Sequence, residues 1–387
     1  MASLYVHIPF CEKKCAYCDF YSVASRSGMQ DFLAALGREI ELAAPAGEGR
    51  SFETVFFGGG TPSLLPPPVV AEILARLRGA FVVRPDAEVT LEANPGAVAE
   101  GNLDGYRTAG VNRLSIGVQS FLEEELRFLG RIHGAAEARA VVRRARGAGF
   151  ANISLDLIYG LPGQRPAAWR RSLDEALALG TEHLSAYNLI VEESTPLARM
   201  VRAGRVAPNT PASDAELYAL TMDLLTDAGY EQYEVSNYAR PGRRCRHNLA
   251  YWTHEPYLGF GPSAHSFWRD ACTPYGRRWW NRADLAGYAQ MVGRGLPPRG
   301  GEETLGPREA LLERILLGLR SDGVNLAGLR EEFGWSPEEG SGGPVEELLA
   351  ASLATLRRGV LRLTRRGYLL CDEITARLTP DSVPAAP

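Results

Sequence analysis

The sequence predicts an α/β protein: a partial, three-quarter parallel β/α barrel followed by a small, mainly helical, winged-helix-like domain. Three observations predict it. Six apolar strands alternate with helical segments across residues 1–192, the pattern of a parallel sheet. Six strand–helix units are fewer than the eight of a closed barrel, which leaves a gap along one side. Residues 302–378 then read as helices and a hairpin with their own Leu/Ile stripe.

Taken in order, residues 4–9 form a first strand, and a cysteine-rich loop follows it directly. Residues 31–43 carry Phe32, Leu33, Leu36 and Ile40 at a helical period. A buried-type strand at 54–57 runs into Gly58-Gly59-Gly60-Thr61-Pro62, and a helix follows at 69–77. The strand at 88–92 ends in the turn Ala93-Asn94-Pro95-Gly96, with a short helix at 101–109. The strand at 113–118 ends at Gln119, and the helix at 135–148 has arginines on its outer face. The strand at 152–159 is closed by Gly160-Leu161-Pro162-Gly163, followed by a helix at 169–179 and a sixth strand at 183–190. Residues 193–301 read as a looser barrel extension and connecting region, with one good helix at 212–228. In the C-terminal part, helices are expected at 307–319, 325–333 and 345–357, and a hairpin over 361–370 turning at Arg365-Arg366-Gly367. Residues 337–343 read as a flexible insertion and 379–387 as a disordered tail.

Composition narrows the function class. Hydrophobic content of 45% and charged content of 23% are ordinary for a globular enzyme. A net charge of −4 provides no basic field, so nucleic acid is not an expected partner. No apolar run reaches the ~18 residues of a membrane helix, and the start lacks the pattern of a signal peptide, so a cytoplasmic location is expected. The six cysteines argue for a reducing compartment and a metal role. Lys13 and Lys14 are the two lysines of the chain, and every other basic residue is arginine, which we read as coding bias.

Half of the cysteines lie in one stretch, where Cys11, Cys15 and Cys18 have the spacing C-x3-C-x2-C. Thiolates this close converge on one inorganic centre. A structural zinc site takes four protein ligands, whereas three leave a coordination position open. A zinc loop that borrows Cys245 or His7, and a redox dithiol, remain alternatives on spacing alone. In a parallel barrel the functional residues lie at the C-terminal ends of the strands. Those ends carry the cysteine loop, Gly58 to Thr61, Glu92, Gln119, Asp156 and Tyr187, which together describe a mouth lined for a polar ligand. The glycines can expose backbone N–H groups, or simply form a turn. Arg131 can pair a carboxylate through its planar fork.

Tyr5 to Cys18, Gly58 to Pro62, Gly117 to Phe121 and Asp156 to Pro162 together resemble the oxygen-independent coproporphyrinogen III oxidase branch of the radical S-adenosylmethionine (SAM) enzymes. The resemblance runs in order over nearly the whole chain. It implies that Cys11, Cys15 and Cys18 hold a 4Fe–4S cluster whose fourth iron is chelated by SAM. It further implies SAM contacts at Tyr5, Gly59, Gly60, Thr61, Glu92, Gln119, Arg131 and Asp156. The oxidases carry a further cysteine where this chain has Phe20, which puts oxidase activity in doubt. Cys245-Arg246-His247-Asn248-Leu249-Ala250-Tyr251-Trp252 is similar to the H-N-x-x-Y-W motif of HemW-type haem chaperones. That similarity implies haem binding through His247, an imidazole flanked by flat apolar rings. Gly259 to Phe267 resembles the same family and makes His265 a candidate second group at the haem. The implied activity is delivery of haem to haem-dependent proteins, respiratory and membrane-bound ones included, from a peripheral position at the membrane or from the cytoplasm. Oxidative decarboxylation of coproporphyrinogen III is the alternative, so catalysis is left open. A homodimer is compatible with the resemblance.

Overall fold

The computed structural model describes residues 2–99, 101–337 and 343–380. The expected open parallel barrel is present. Strands β1 (Ala2–Ile8), β2 (Ser51–Gly59), β3 (Val82–Ala93), β4 (Arg113–Gln119), β5 (Ile153–Tyr159) and β6 (His183–Asn188) lie side by side in sequence order, all parallel. Helices Met29–Ala43, Pro67–Ala80, Asn102–Ala109, Ala135–Gly147 and Pro166–Ala178 provide the crossovers.

The period-2 alternation of these strands explains what the sheet encloses. On the outer face, Leu4, Val6 and Ile8 of β1, Leu114, Ile116 and Val118 of β4, and Leu155 and Leu157 of β5 are fully buried against the helices. The alternate residues face inward and are mostly polar: Tyr5 and His7, Arg113, Ser115 and Gly117, Asp156, and Ser185 with Tyr187 all line an internal cavity. The outer face is therefore the packed core, and the inner face is the site.

Residues 193–304 extend the sheet with six more strands, which the sequence did not single out: β7 (Glu231–Gln232), β8 (Asn237–Ala239), β9 (Tyr257–Phe260), β10 (His265–Trp268), β11 (Arg277–Asn281) and β12 (Arg299–Thr304). The sheet has twelve strands in the order β12-β11-β10-β9-β1-β2-β3-β4-β5-β6-β8-β7. Strand β9 pairs in parallel with β1, Ser3 opposite Tyr257 and Val6 opposite Phe260. Each of these strands spans two to six residues, too short to establish a period in the sequence.

A buried carboxyl group joins the extension to the barrel. Glu39, on the first helix, accepts from Gly261 N at 2.8 Å, Asn281 Nδ2 at 2.6 Å and Tyr288 Oη at 2.6 Å. Burial pushes its carboxyl up to about 7, against the pull of those three donors.

The C-terminal part has its own apolar cluster, which includes Leu311, Ile315, Leu319, Leu326, Leu329, Phe333, Leu348, Leu361 and Ile374. Helices Pro307–Leu319, Leu326–Phe333 and Cys371–Leu378 pack with an antiparallel sheet of β13 (Val324–Asn325), β14 (Ala354–Arg357) and β15 (Val360–Leu363). Two expectations are corrected. The helix expected over 345–357 ends at Ala350, and residues 354–357 are strand. Ser352 sits at φ 55°, a left-handed conformation that stops a helix. The hairpin turns at Arg358-Gly359, both with positive φ, as a tight right-twisted hairpin needs. Arg365 to Tyr368 is instead a helical turn, capped by Thr364 Oγ1, which accepts from Gly367 N at 3.2 Å. Most of the expected insertion, 338–342, and of the tail, 381–387, lies outside the described residues. Among the described residues no helix is long and apolar enough to cross a membrane.

Candidate functional site

The cysteine loop leaves β1 at Ile8 and is tied down by backbone. Cys11 N donates to Val23 O at 3.0 Å and Val23 N to Pro9 O at 2.7 Å, which closes the loop on itself. Gly60 N donates to Ile8 O and Thr61 N to Phe10 O, each at 2.8 Å. The Gly59 N–H donates to the Glu92 carboxyl. These N–H groups thus hold the loop and a side chain, so of the two readings of the glycine run the turn describes their hydrogen bonds. Close approach is what requires glycine here. A Cβ on Gly60 would lie 2.7 Å from Phe10 O, and one on Gly59, which has φ +105°, would lie 2.6 Å from the His7 ring.

Cys11, Cys15 and Cys18 are all half-buried free thiols on one wall of a cavity of about 1190 Å³. Thr61 Oγ1 lies 3.6 Å from Cys11 Sγ, and Arg131 Nη1 lies 3.6 Å from Cys15 Sγ. Arg131 Nη2 donates to Gly117 O at 2.7 Å, while its buried Nε has no partner among the described residues. The two fourth ligands that a zinc loop would borrow are both committed elsewhere. His7 bonds Tyr21 O at 2.8 Å and Tyr5 Oη at 3.2 Å through its two nitrogens. Cys245 is fully buried and donates to Glu88 Oε1 at 3.5 Å. Three thiols facing open space, with an arginine donor left over behind them, are a donor set that fits an iron–sulfur cluster with one iron left for an exogenous ligand.

Glu92 and Asp156 face the same space from β3 and β5. Burial, then the neighbouring Asp156 charge, pushes the Glu92 carboxyl up to about 8, opposed by the Gly59 N–H and Arg113. Burial also raises Asp156, although Ser115 Oγ donates to both of its oxygens at 3.0 Å and Ser154 Oγ to one at 3.3 Å. Arg113 is the buried cation beneath them, 1% exposed, with Cys245, Glu88 and Asp156 around it. Gln119 sits at a break in the β4–β5 register with φ 69°, a strained conformation that turns its side chain into the mouth.

The cavity continues past Tyr5 into an aromatic half. His247 stacks on Phe56 at 4.9 Å and meets Tyr251 edge-on at 5.0 Å. Tyr251 meets Tyr257 at 4.7 Å, and Phe267 stacks on His254 at 4.2 Å. His247 itself is 1% exposed, and both of its ring nitrogens are engaged, Nδ1 with Thr54 Oγ1 at 2.7 Å and Nε2 with Tyr251 Oη at 2.9 Å. Burial, then Arg113, lowers its pKa to about 3, so the ring is neutral. The C-terminal part closes this end: Glu313, Leu316 and Leu317 line the cavity, and Glu313 pairs with His254 at 3.1 Å and with Arg278.

Of the residues picked out from the sequence, Tyr5, Cys11, Cys15, Cys18, Gly59, Gly60, Thr61, Glu92, Gln119, Arg131, Asp156, His247 and His265 line this one cavity, whereas Gly58 and Cys245 are not part of its lining. Phe20 is 66% exposed and lies at the rim with Tyr187 and Ile190. Lys13 and Lys14 also face the cavity, and neither is ion-paired among the described residues. Arg113, Ser115 and Ser185 were missed, because attention to strand ends passes over the inward positions further down each strand. The alternation Arg113-x-Ser115-x-Gly117-x-Gln119 was the available signal.

The radical SAM superfamily model matches residues 5–176, and the HemN C-terminal domain model matches residues 305–370. The chain is 40% identical over 380 residues to the heme chaperone HemW of Mycobacterium tuberculosis, covering 97% of this chain and 94% of that one. It is 43% identical over 267 residues to the heme chaperone HemW of Escherichia coli, covering 68% and 69%. It is 37% identical over 401 residues to the mitochondrial radical S-adenosyl methionine domain-containing protein 1 of Mus musculus, covering 98% and 87%. Among solved structures, coproporphyrinogen III oxidase (HemN) from Escherichia coli, a radical SAM enzyme, superposes with a TM-score of 0.83 at 26% identity, covering 98% of this chain and 90% of that one.

Proposed function

Because the chain belongs to the radical SAM superfamily and, within it, to the heme chaperone HemW family, we propose that it carries haem to haem-dependent proteins, respiratory and membrane-bound ones among them. The identity to named haem chaperones over nearly the full chain carries this reading. The aromatic half of the cavity supports it, since a porphyrin needs flat apolar surface. Superfamily membership implies a 4Fe–4S cluster and SAM. In this reading Cys11, Cys15 and Cys18 hold the cluster, and its open iron is the place that SAM occupies. Tyr5, Gly59, Gly60, Thr61, Glu92, Gln119, Arg131 and Asp156 form the SAM side. Glu92 and Asp156 accept from cationic or hydroxyl groups, and the Arg131 fork faces anionic ones. Lys13 and Lys14 add positive charge at the mouth, which suits the propionates of haem. The H-N-x-x-Y-W motif forms the haem side.

Oxidative decarboxylation of coproporphyrinogen III is the second reading, favoured by the likeness to HemN. Phe20, an exposed apolar side chain where those oxidases have a thiol, weighs against it. Anaerobically reconstituted protein separates the two. We expect haem to bind with a Soret shift and to pass to an apo-haemoprotein, while coproporphyrinogen III with SAM and reductant yields no protoporphyrinogen. Turnover to protoporphyrinogen would overturn the chaperone assignment.

The position of Glu92 also makes SAM binding depend on pH. With its carboxyl pushed up to about 8, Glu92 is mostly protonated in the ligand-free protein at neutral pH. The net positive charge that SAM keeps on its sulfonium favours the carboxylate, so binding expels a proton. Affinity therefore rises with pH, by up to about tenfold per unit, and levels off above the ligand-free pKa. Calorimetry in two buffers of different ionisation enthalpy reads this as proton release. Glu92→Gln should bind more weakly and with no pH slope, and a wild-type affinity flat across this range would contradict the role.

A further inference from the structure

We propose that His265, rather than His247, supplies the imidazole that ligates the iron of bound haem. The proposal rests on the haem-carrier reading and assigns one atom set within it.

A histidine binds a metal through a free lone pair on a neutral ring that can reach the ion. The chain has six histidines. Five are committed. His7 bonds Tyr21 O and Tyr5 Oη. His133 bonds Asn94 Oδ1 and Val118 O, each at 3.1 Å. His183 bonds Ser154 Oγ and Tyr233 Oη, each at 2.7 Å. His247 bonds Thr54 and Tyr251. His254 has no partner at Nδ1 among the described residues, but it is buried, its ring stacked on Phe267 at 4.2 Å and its Nε2 held 3.1 Å from the Glu313 carboxylate, so it cannot project toward a ligand. His265 is the remaining one. It is exposed, it lines the cavity, and neither of its ring nitrogens is hydrogen-bonded among the described residues.

Its setting suits the task. His265 begins β10 and pairs in register with Trp280 on β11, and the two rings stack with centroids 5.9 Å apart. The indole thus backs the imidazole and limits its swing. His265 and Phe267 are two residues apart on one strand, so both project to the cavity side, where they are both found. Phe267 stands near Tyr257, with ring centroids 6.4 Å apart, and Tyr257 meets Tyr251, which gives a porphyrin an aromatic wall beside the ligand, with Arg278 and Glu313 at its edge. Porphyrin iron lies at the centre of a wide plate, so its ligand must project from the wall. His247 is 1% exposed and would first have to break two hydrogen bonds. In this arrangement His247 holds the Tyr251 hydroxyl and shapes the wall.

The test is titration of full-length wild type, His265→Ala and His247→Phe with haem, following the Soret band and, for ferrous haem, the iron–histidine stretch by resonance Raman. Wild type should show histidine ligation. His265→Ala should lose the iron–histidine stretch, bind haem more weakly by at least about tenfold, and recover the ligated spectrum with added imidazole. His247→Phe, with circular dichroism like that of wild type, should keep the stretch. Persistence of the stretch in His265→Ala, or its loss in a folded His247→Phe, would overturn the assignment and leave the carrier reading standing. Haem bound by wild type without histidine ligation would do the same. A wild type that binds no haem would overturn the carrier reading itself, and the assignment with it.

Discussion

Replacing any one of Cys11, Cys15 or Cys18 with alanine is expected to abolish the broad absorption near ~400 nm that reconstitution with iron and sulfide gives wild type, and to bring bound iron down from about four per chain. Cysteine thiolates hold such clusters, and three is already the minimum that leaves one iron free for another ligand. The fold should not suffer. These three thiols are half-buried at the cavity wall rather than in the apolar core, so the iron-free variants should melt within about 2 °C of iron-free wild type. The other three cysteines are the controls. Cys272 is exposed, and Cys245 and Cys371 are buried in packed surroundings away from the loop. Alanine at Cys245 or Cys371 should cost stability while sparing the cluster. A Cys18→Ala protein with full iron and an unchanged spectrum would sink the assignment.

The second large effect is expected at Gly60. An alanine Cβ there would lie 2.7 Å from Phe10 O, 2.9 Å from Ile8 O and 3.0 Å from Phe10 C. All three are backbone atoms, so no side chain can swing aside. The two oxygens are also the acceptors for Gly60 N and Thr61 N, the bonds that pin the cysteine loop to the end of β2. Gly60→Ala must push the loop away or give up those bonds. We expect a loss of about 2–4 kcal/mol in urea unfolding, and incomplete reconstitution even where the protein is folded. Gly79, in the helix Pro67–Ala80, has open space around its Cβ position. Gly79→Ala should stabilise by about 0.5–1 kcal/mol, because it only narrows the unfolded chain and favours helix. Equal behaviour of the two variants would show that close approach at Gly60 does not matter.

Much of the barrel was legible because its signals are local. The apolar runs around Val55, Leu91, Ile116 and Leu155 are each followed within a few residues by a polar or glycine strand end. A parallel barrel turns six such ends into one mouth. What stayed hidden depends on partners remote in the chain. The glycine run could be read as a turn or a cradle, and only the fold brings Ile8 and Phe10 against it. His247 invites reading as a free ligand, but its Nδ1 partner, Thr54, lies 193 residues upstream. The strands β9 to β12 carry too few residues for a period, and their pairing is decided by the open edge of β1. The C-terminal hairpin was displaced because Arg365-Arg366-Gly367 looks like a turn in isolation, while Thr364 caps it as helix.

The pairing of β9 with β1 has a consequence for the order of assembly. The strand that leads into the cysteine loop is made first, yet one of its two neighbours starts at Tyr257. Contacts this distant in sequence close late, because the intervening chain must be made and its loop entropy overcome. On the ribosome, β1 has β2 beside it early, but it remains a sheet edge until well over half of the chain has emerged. Until then the turn after β9, whose Gly261 backs onto His7, is also missing from the base of the loop. The pocket that frames the three thiols is therefore finished late in synthesis rather than early, and iron delivered before then would meet an unframed loop.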